Sequence, residues 1–152
     1  MIYIGADHRG YTLKEKVKLW LQEWNLEFED MGNDHLDPED DYPDFAKKVA
    51  ARLRPSEEGI FDTEGSGEVK GIVICGSGVG VDIVANRHQS VRCGLGFSAE
   101  QIKKAREDDG INCLALAADF IDEETAKKII ETFLKTEFSG EEKKIRRISK
   151  LT

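Results

Sequence analysis

The chain predicts an α/β/α sandwich, a parallel sheet covered by helices on both faces. Three observations support that class. Short β-rich runs alternate with helical patterns from end to end, and strands separated by helices imply βαβ crossovers. The length of 152 residues fits one domain, residues 1–152, with room to bury a sizeable core. No internal repeat interrupts the alternation.

The elements follow in order. IYIGA at residues 2–6 reads as a buried strand. Leu13, Val17, Trp20, Leu21 and Trp24 then recur at the spacing of one helix face, with Asn25 as a stop. Residues 26–31 make a second strand, and the acidic stretch GNDHLDPEDDYPD leads into a helix over 45–53. A surface loop is expected at 55–70, where Gly, Ser and Glu dominate. GIVIC at 71–75 is the third strand and residues 79–86 open a helix. A fourth strand at 91–95, a helix at 99–106 and a fifth strand, NCLAL at 112–116, follow. Ala126, Ile129, Ile130, Phe133 and Leu134 mark another amphipathic helix, and a basic helix covers 141–151 within a tail at 139–152. In parallel sheets ligands bind beyond the carboxyl ends of the strands, which selects residues 7–10, 75–80 and 117–119.

Composition narrows the function classes. A formal net charge of −8 disfavours nucleic acid and anionic membrane, while leaving room for a small anionic substrate held by a local basic cluster. No apolar run approaches the ~20 residues that span a bilayer, and MIYIGADHRG turns polar too early for a signal peptide. Cys75, Cys93 and Cys113 are odd in number and widely spaced, which fits neither a disulfide framework nor a structural zinc site. A reducing cytoplasm is the expected location. His35 and His88 have no partner at metal-ligand spacing and are assigned no chemistry.

The densest motif is ICGSGVGVDIVAN at 74–86. Gly76, Gly78 and Gly80 alternate between a strand and a helix, where bare backbone N–H groups can hold an anion or a developing oxyanion. A plain tight turn is the other reading. The loop lacks the lysine and hydroxyl of a P-loop, and gives GxGxG where a dinucleotide fingerprint needs GxGxxG. Cys75 ends the strand, placed either as a thiolate able to act as base or as a small buried hydrophobe. A cysteine redox module has no resolving cysteine nearby.

ADHRGYTLK near the N-terminus, DDYPDFAKKVA, and GIVICGSGVGVDIVANR together resemble the type B ribose-5-phosphate isomerase family and its galactose-6-phosphate isomerase relatives, over nearly the whole chain. The resemblance implies a small Rossmann-like sandwich and metal-free aldose–ketose isomerisation without a cofactor. It also implies a homodimer or homotetramer with active sites at the subunit interface. Cys75 matches the family's base. Ser77 with the backbone of Gly76, Gly78 and Gly80 matches the anion hole, with Asn86 near it. Asp7 and His8 match the pair that contacts the sugar hydroxyls and the phosphate region. Tyr42 matches a ring over the substrate, although Asp41-Tyr42-Pro43 also reads as a simple helix start.

Departures accompany the matches. Where the family has SHNNAN or QHNDTN, this chain reads REDDGIN, so Asp108 stands at the ring-opening histidine and Asp109 beside it. Either Asp108 relays a proton at a different pKa or the two carboxylates end an exposed helix. Asp119 in LAADF replaces an arginine, and the tail reads SGEEKKIRRISK. Lys143 with Arg146 or Arg147 is the expected phosphate anchor, with Lys144 on a family histidine. A one-residue slip puts Glu142 on the first anchor position. Arg9 adds a cation beside His8, and the tail also reads as a solvated basic helix end. The expected activity is isomerisation of ribose 5-phosphate to ribulose 5-phosphate. The alternative is a non-catalytic sugar-phosphate binder or the partner subunit of a hetero-oligomeric isomerase.

Overall fold

The structure, a computed structural model, describes residues 1–53 and 68–151. Five parallel strands stand in the order β2-β1-β3-β5-β4: β1 (Ile2–Ala6), β2 (Phe28–Asp30), β3 (Lys70–Cys75), β4 (Cys93–Gly96) and β5 (Cys113–Ala117). The helices between and after them are α1 (Tyr11–Glu23), α2 (Tyr42–Ala50), α3 (Val79–Ala85), α4 (Ala99–Asp109), α5 (Glu123–Lys135) and α6 (Glu142–Ile148). The expected α/β/α sandwich with its C-terminal basic helix is the fold observed.

Strand alternation sorts the core into two layers. Ile4, Ile72, Ile74, Leu114 and Leu116 face α1, α4 and α5, burying Val17, Leu21, Ile102, Ile129 and Phe133 against them. Val73, Cys75, Cys113 and Ala115 face α2 and α3, against Ala46, Val49, Val81 and Ala85. Because β3 and β5 are central, neither of their faces meets water, and the runs GIVIC and CLALA carry no polar alternation. Arg106 is buried on α4 and ties three segments together. It donates to Glu68 before β3 at 2.7 and 2.9 Å and to the Thr136 carbonyl after α5 at 2.9 Å.

Boundaries shift for physical reasons. β2 covers three residues rather than six, since it is an edge strand paired with β1 alone. α2 begins at Tyr42, not at residue 45. Asp41 is its extended N-cap and Pro43 sits in the first turn, where a missing N–H costs nothing. β4 begins at Cys93, after Arg92 gives its backbone N–H to the Asn112 side chain. Residues 55–67 of the expected loop lie outside the described residues, and Lys70 already belongs to β3. Among the described residues no helix is long and apolar enough to cross a membrane.

The order of strands places the site. From β1 the chain moves outward to β2, and from β3 it moves the other way, toward β4 and β5. The carboxyl ends of β1 and β3 therefore flank a switch point, the crevice where open α/β sheets bind ligands.

Candidate active site

Two short loops leave that crevice side by side, Asp7–Gly10 after β1 and Gly76–Gly78 after β3. The Asp7 N–H donates to the Ile74 carbonyl at 3.3 Å, holding them together. Cys75, the last residue of β3, is buried and carries a free thiol. Gly78 adopts φ +72 as the N-cap of α3, a left-handed conformation that glycine takes without penalty. The loop after β5 closes the third side: Ala118 and Asp119 donate their N–H groups to the carbonyls of Cys75 and Gly76 at 2.9 and 3.1 Å. Ser77 is exposed, and its Oγ accepts the Val79 N–H at 3.3 Å.

Tyr42 reaches this loop from α2. A methyl group on Gly80 would lie 2.8 Å from the Tyr42 ring, so the absence of a side chain there seats the ring. Asp7 is buried, and its Oδ1 accepts the N–H groups of Arg9 and Gly10, each at 3.0 Å, forming the turn that starts α1. Burial pushes the Asp7 carboxyl up, against the pull of the Gly10 N–H.

His8 is held by a residue that the sequence reading missed. Asp40 Oδ1 accepts the His8 backbone N–H at 2.9 Å and meets its Nδ1 at 2.7 Å. Oδ2 accepts from Asn33 at 3.1 Å. The hydrogen bond to Asp40 raises the His8 pKa above its ordinary value. Burial pushes Asp40 up, but the His8 N–H, imidazole and Asn33 bonds outweigh it and hold the carboxyl low. Donor atoms of Asp7, His8 and Asp40 lie within 4.8 Å of one another, close enough for one cation to bridge, although His8 and Asp40 already bind each other. Asp40 is one acid among six in GNDHLDPEDDYPD, and no spacing rule singles it out.

Asn86 is a correction. It caps the C-terminal end of α3, which runs back toward the amino ends of the strands. Its amide donates to the Cys93 carbonyl at 3.1 Å, and its Oδ1 accepts the Cys93 N–H at 2.9 Å. It fastens α3 to β4 and stands away from the glycine loop.

Asp108, Asp109 and the tail cations gather at the opposite end of the sheet. α4 descends from the carboxyl end of β4, so Asp108 and Asp109 finish it just before β5 begins. Gly71 pairs with Cys113 and Cys75 with Ala117. That register puts the start of β5 four residues below the thiol, ~13 Å along the strand. Lys144 on α6 is nearly buried and donates to Asp108 at 2.5 Å, which holds the Asp108 carboxyl low. Lys143 pairs with Glu141 at 3.1 Å, Glu142 opens α6, and Arg146 and Arg147 are exposed on it. One chain thus brings Cys75, Gly76, Ser77, Gly78, Gly80, Asp7, His8, Arg9 and Tyr42 together. It places Asp108, Asp109, Lys143, Arg146 and Arg147 in a separate cluster.

A doubly wound sandwich with a cysteine–glycine loop at its switch point defines the class, and the relatives agree. The chain belongs to the Ribose/Galactose Isomerase family, whose model matches residues 2–151. It is 35% identical over 139 residues to the probable ribose-5-phosphate isomerase B of Mycoplasma pneumoniae, covering 91% of this chain and 85% of that protein. The ribose-5-phosphate isomerase B of Mycoplasma genitalium, solved with bound ribulose-5-phosphate, superposes with a TM-score of 0.86 at 36% identity, over 98% of this chain and 91% of that one. The Thermotoga maritima ribose 5-phosphate isomerase gives 0.84 at 38% identity, over 98% and 94%.

Proposed function

We propose that the protein interconverts ribose 5-phosphate and ribulose 5-phosphate by proton transfer through an enediolate. The observation that carries this reading is Cys75 at the carboxyl end of central β3, beside the switch point, where the Asp7–Gly10 loop runs next to it and the glycine loop leads to Gly80 under the Tyr42 ring. The Cys75 thiolate takes the proton from C2 of the open-chain aldose. The electron pair left behind forms the C1–C2 double bond, and negative charge gathers on O1. Backbone N–H groups of Gly76, Gly78 and Gly80 with the Ser77 hydroxyl offer donors to that charge. The O2 hydroxyl then passes its proton to O1, and as O2 closes to the ketone the C1–C2 electron pair takes the proton back from Cys75 onto C1. Tyr42 supplies a flat wall against the sugar, and His8, fixed by Asp40, faces the anionic end.

The tail completes the site from a second copy of the chain, with α6 packing on the partner. The separation of Asp108, Asp109, Lys143, Arg146 and Arg147 from Cys75 supports this, because no bending of one compact sheet unites the two clusters. Substitution of Cys75 by Ala tests the base: turnover of ribose 5-phosphate falls at least ~10²-fold while substrate affinity persists. Unchanged turnover refutes the assignment.

One observation favours a second reading. Asp108, which the resemblance sets at the family's ring-opening histidine, is held in an ion pair by Lys144. A binding subunit without activity of its own would tolerate that exchange. Calorimetric titration with ribulose 5-phosphate beside a turnover assay separates the two, since tight binding without turnover selects the binder.

A further inference from the structure

Arg9 and Asp119 meet above β3 from the two strands that flank it. Arg9 follows β1 and Asp119 follows β5, the neighbours of β3 on either side. Arg9 Nη2 donates to Asp119 Oδ2. The pair lies on Gly76: a methyl group there would stand 2.6 Å from Arg9 Nε and 2.7 Å from Asp119 Oδ2. Both bases of this strap are pinned to the site by backbone bonds. Asp7 Oδ1 accepts the Arg9 N–H at 3.0 Å, and the Asp119 N–H donates to Gly76 at 3.1 Å.

Strand alternation fixes which flank the strap occupies. Cys75 faces the α2/α3 layer, so the next residue faces the α1/α5 layer, where Arg9 and Asp119 stand. Thiol and guanidinium thus flank the same loop on opposite sides. A phosphorylated sugar lying across the loop, with its reacting carbons at Cys75, carries its phosphate toward Arg9. One Arg9 nitrogen is committed to Asp119, which leaves the rest of a planar five-donor fork to meet phosphate oxygens. The side chain is 59% exposed, and the carboxylate stops it from swinging away into water.

From this geometry we infer that Arg9 is a phosphate-binding residue supplied by the chain's own strand ends, and that Asp119 is the positioning residue that aims it. The inference rests on the isomerase reading for the sugar, but the anion site can be measured without turnover. It is distinct from the tail cations, which stand at the other end of the sheet.

The test compares the wild type with R9A, R9K, D119A, R9A/D119A and R9A/D119R. Each is assayed for KM and kcat with ribose 5-phosphate and for the Kd of inorganic phosphate. Loss of a charge-assisted contact raises KM and the phosphate Kd of R9A about tenfold or more, with a smaller effect on kcat. R9K recovers part of the loss, since lysine keeps the charge without the fork. D119A weakens phosphate binding several-fold when Arg9 is present and has no such effect in the R9A background. R9A/D119R regains affinity over R9A, because both side chains reach the same point over Gly76. The inference is overturned by an R9A protein with wild-type unfolding temperature and unchanged phosphate affinity. Tighter phosphate binding in D119A overturns the role of Asp119. A wild type that binds phosphate through Arg9 yet never isomerises keeps this inference and removes the isomerase reading. An active wild type indifferent to R9A does the reverse.

Discussion

At the scale of single residues, His8 and Asp40 show how the site sets a charge. Asp40 raises the His8 pKa above 6.5 by its hydrogen bond. Its own carboxyl, which burial alone would raise, is held below 3.8 by the His8 and Asn33 bonds. The signs follow from linkage. His8 contributes stability in full below its ordinary 6.5 and loses it as pH rises through the raised folded pKa. Asp40 contributes above its ordinary 3.8 and loses it as pH falls through the depressed one. The pair therefore stabilises most between those two ordinary values. Urea midpoints of wild type and D40N should differ most near pH 5 and converge as pH rises past the His8 transition. By NMR the His8 titration should move down in D40N. An unmoved titration shows that the carboxylate does not govern the imidazole.

At the scale of elements, the turn after β3 is the tightest piece of construction in the molecule's ligand-facing edge. Gly78 has φ +72, and a methyl group there would lie 2.5 Å from Leu95 Cδ1 and 3.0 Å from the backbone of Leu116 and Ala117. G78A combines a left-handed alanine with overpacking against two strands, for a loss of ~2–4 kcal/mol in chemical denaturation. A loss below ~1 kcal/mol means that the loop relaxes freely and is no rigid cradle.

The same element shows what the sequence disclosed. Strands that are apolar without alternation, GIVIC and CLALA, announced burial on both faces, and the glycines between Cys75 and Val81 announced the turn. Helix periodicity located α1 and α5, whose apolar positions sit on one stripe. Strand order carries no local signal, so the meeting of Arg9 with Asp119 across β3 could not be read. Asp40 was hidden as an acid in an acidic chain, whereas Asp119 was singled out but its pairing with Arg9 was not. Asn86 misled because its motif position lies near the loop in sequence, while a seven-residue helix carries it to the far end of the sheet.

At the scale of the whole molecule, charge is segregated against the net balance of −8. The tail carries Lys143, Lys144, Arg146, Arg147 and Lys150 on or beside α6, away from the crevice at the carboxyl ends. If the site is shared, each copy lends its tail to the crevice of the other, and a C₂ pair makes two equivalent sites. Complementation follows. C75A spoils the crevice and R146A/R147A spoils the tail, so each alone is nearly inactive. After subunit exchange, about half the dimers pair one of each variant, and one of their two sites joins an intact crevice to an intact tail. Mixing should therefore restore activity to about a quarter of wild type. If both clusters served the same chain's site, every site in the mixture would carry a lesion, and activity would stay at the mean of the two variants.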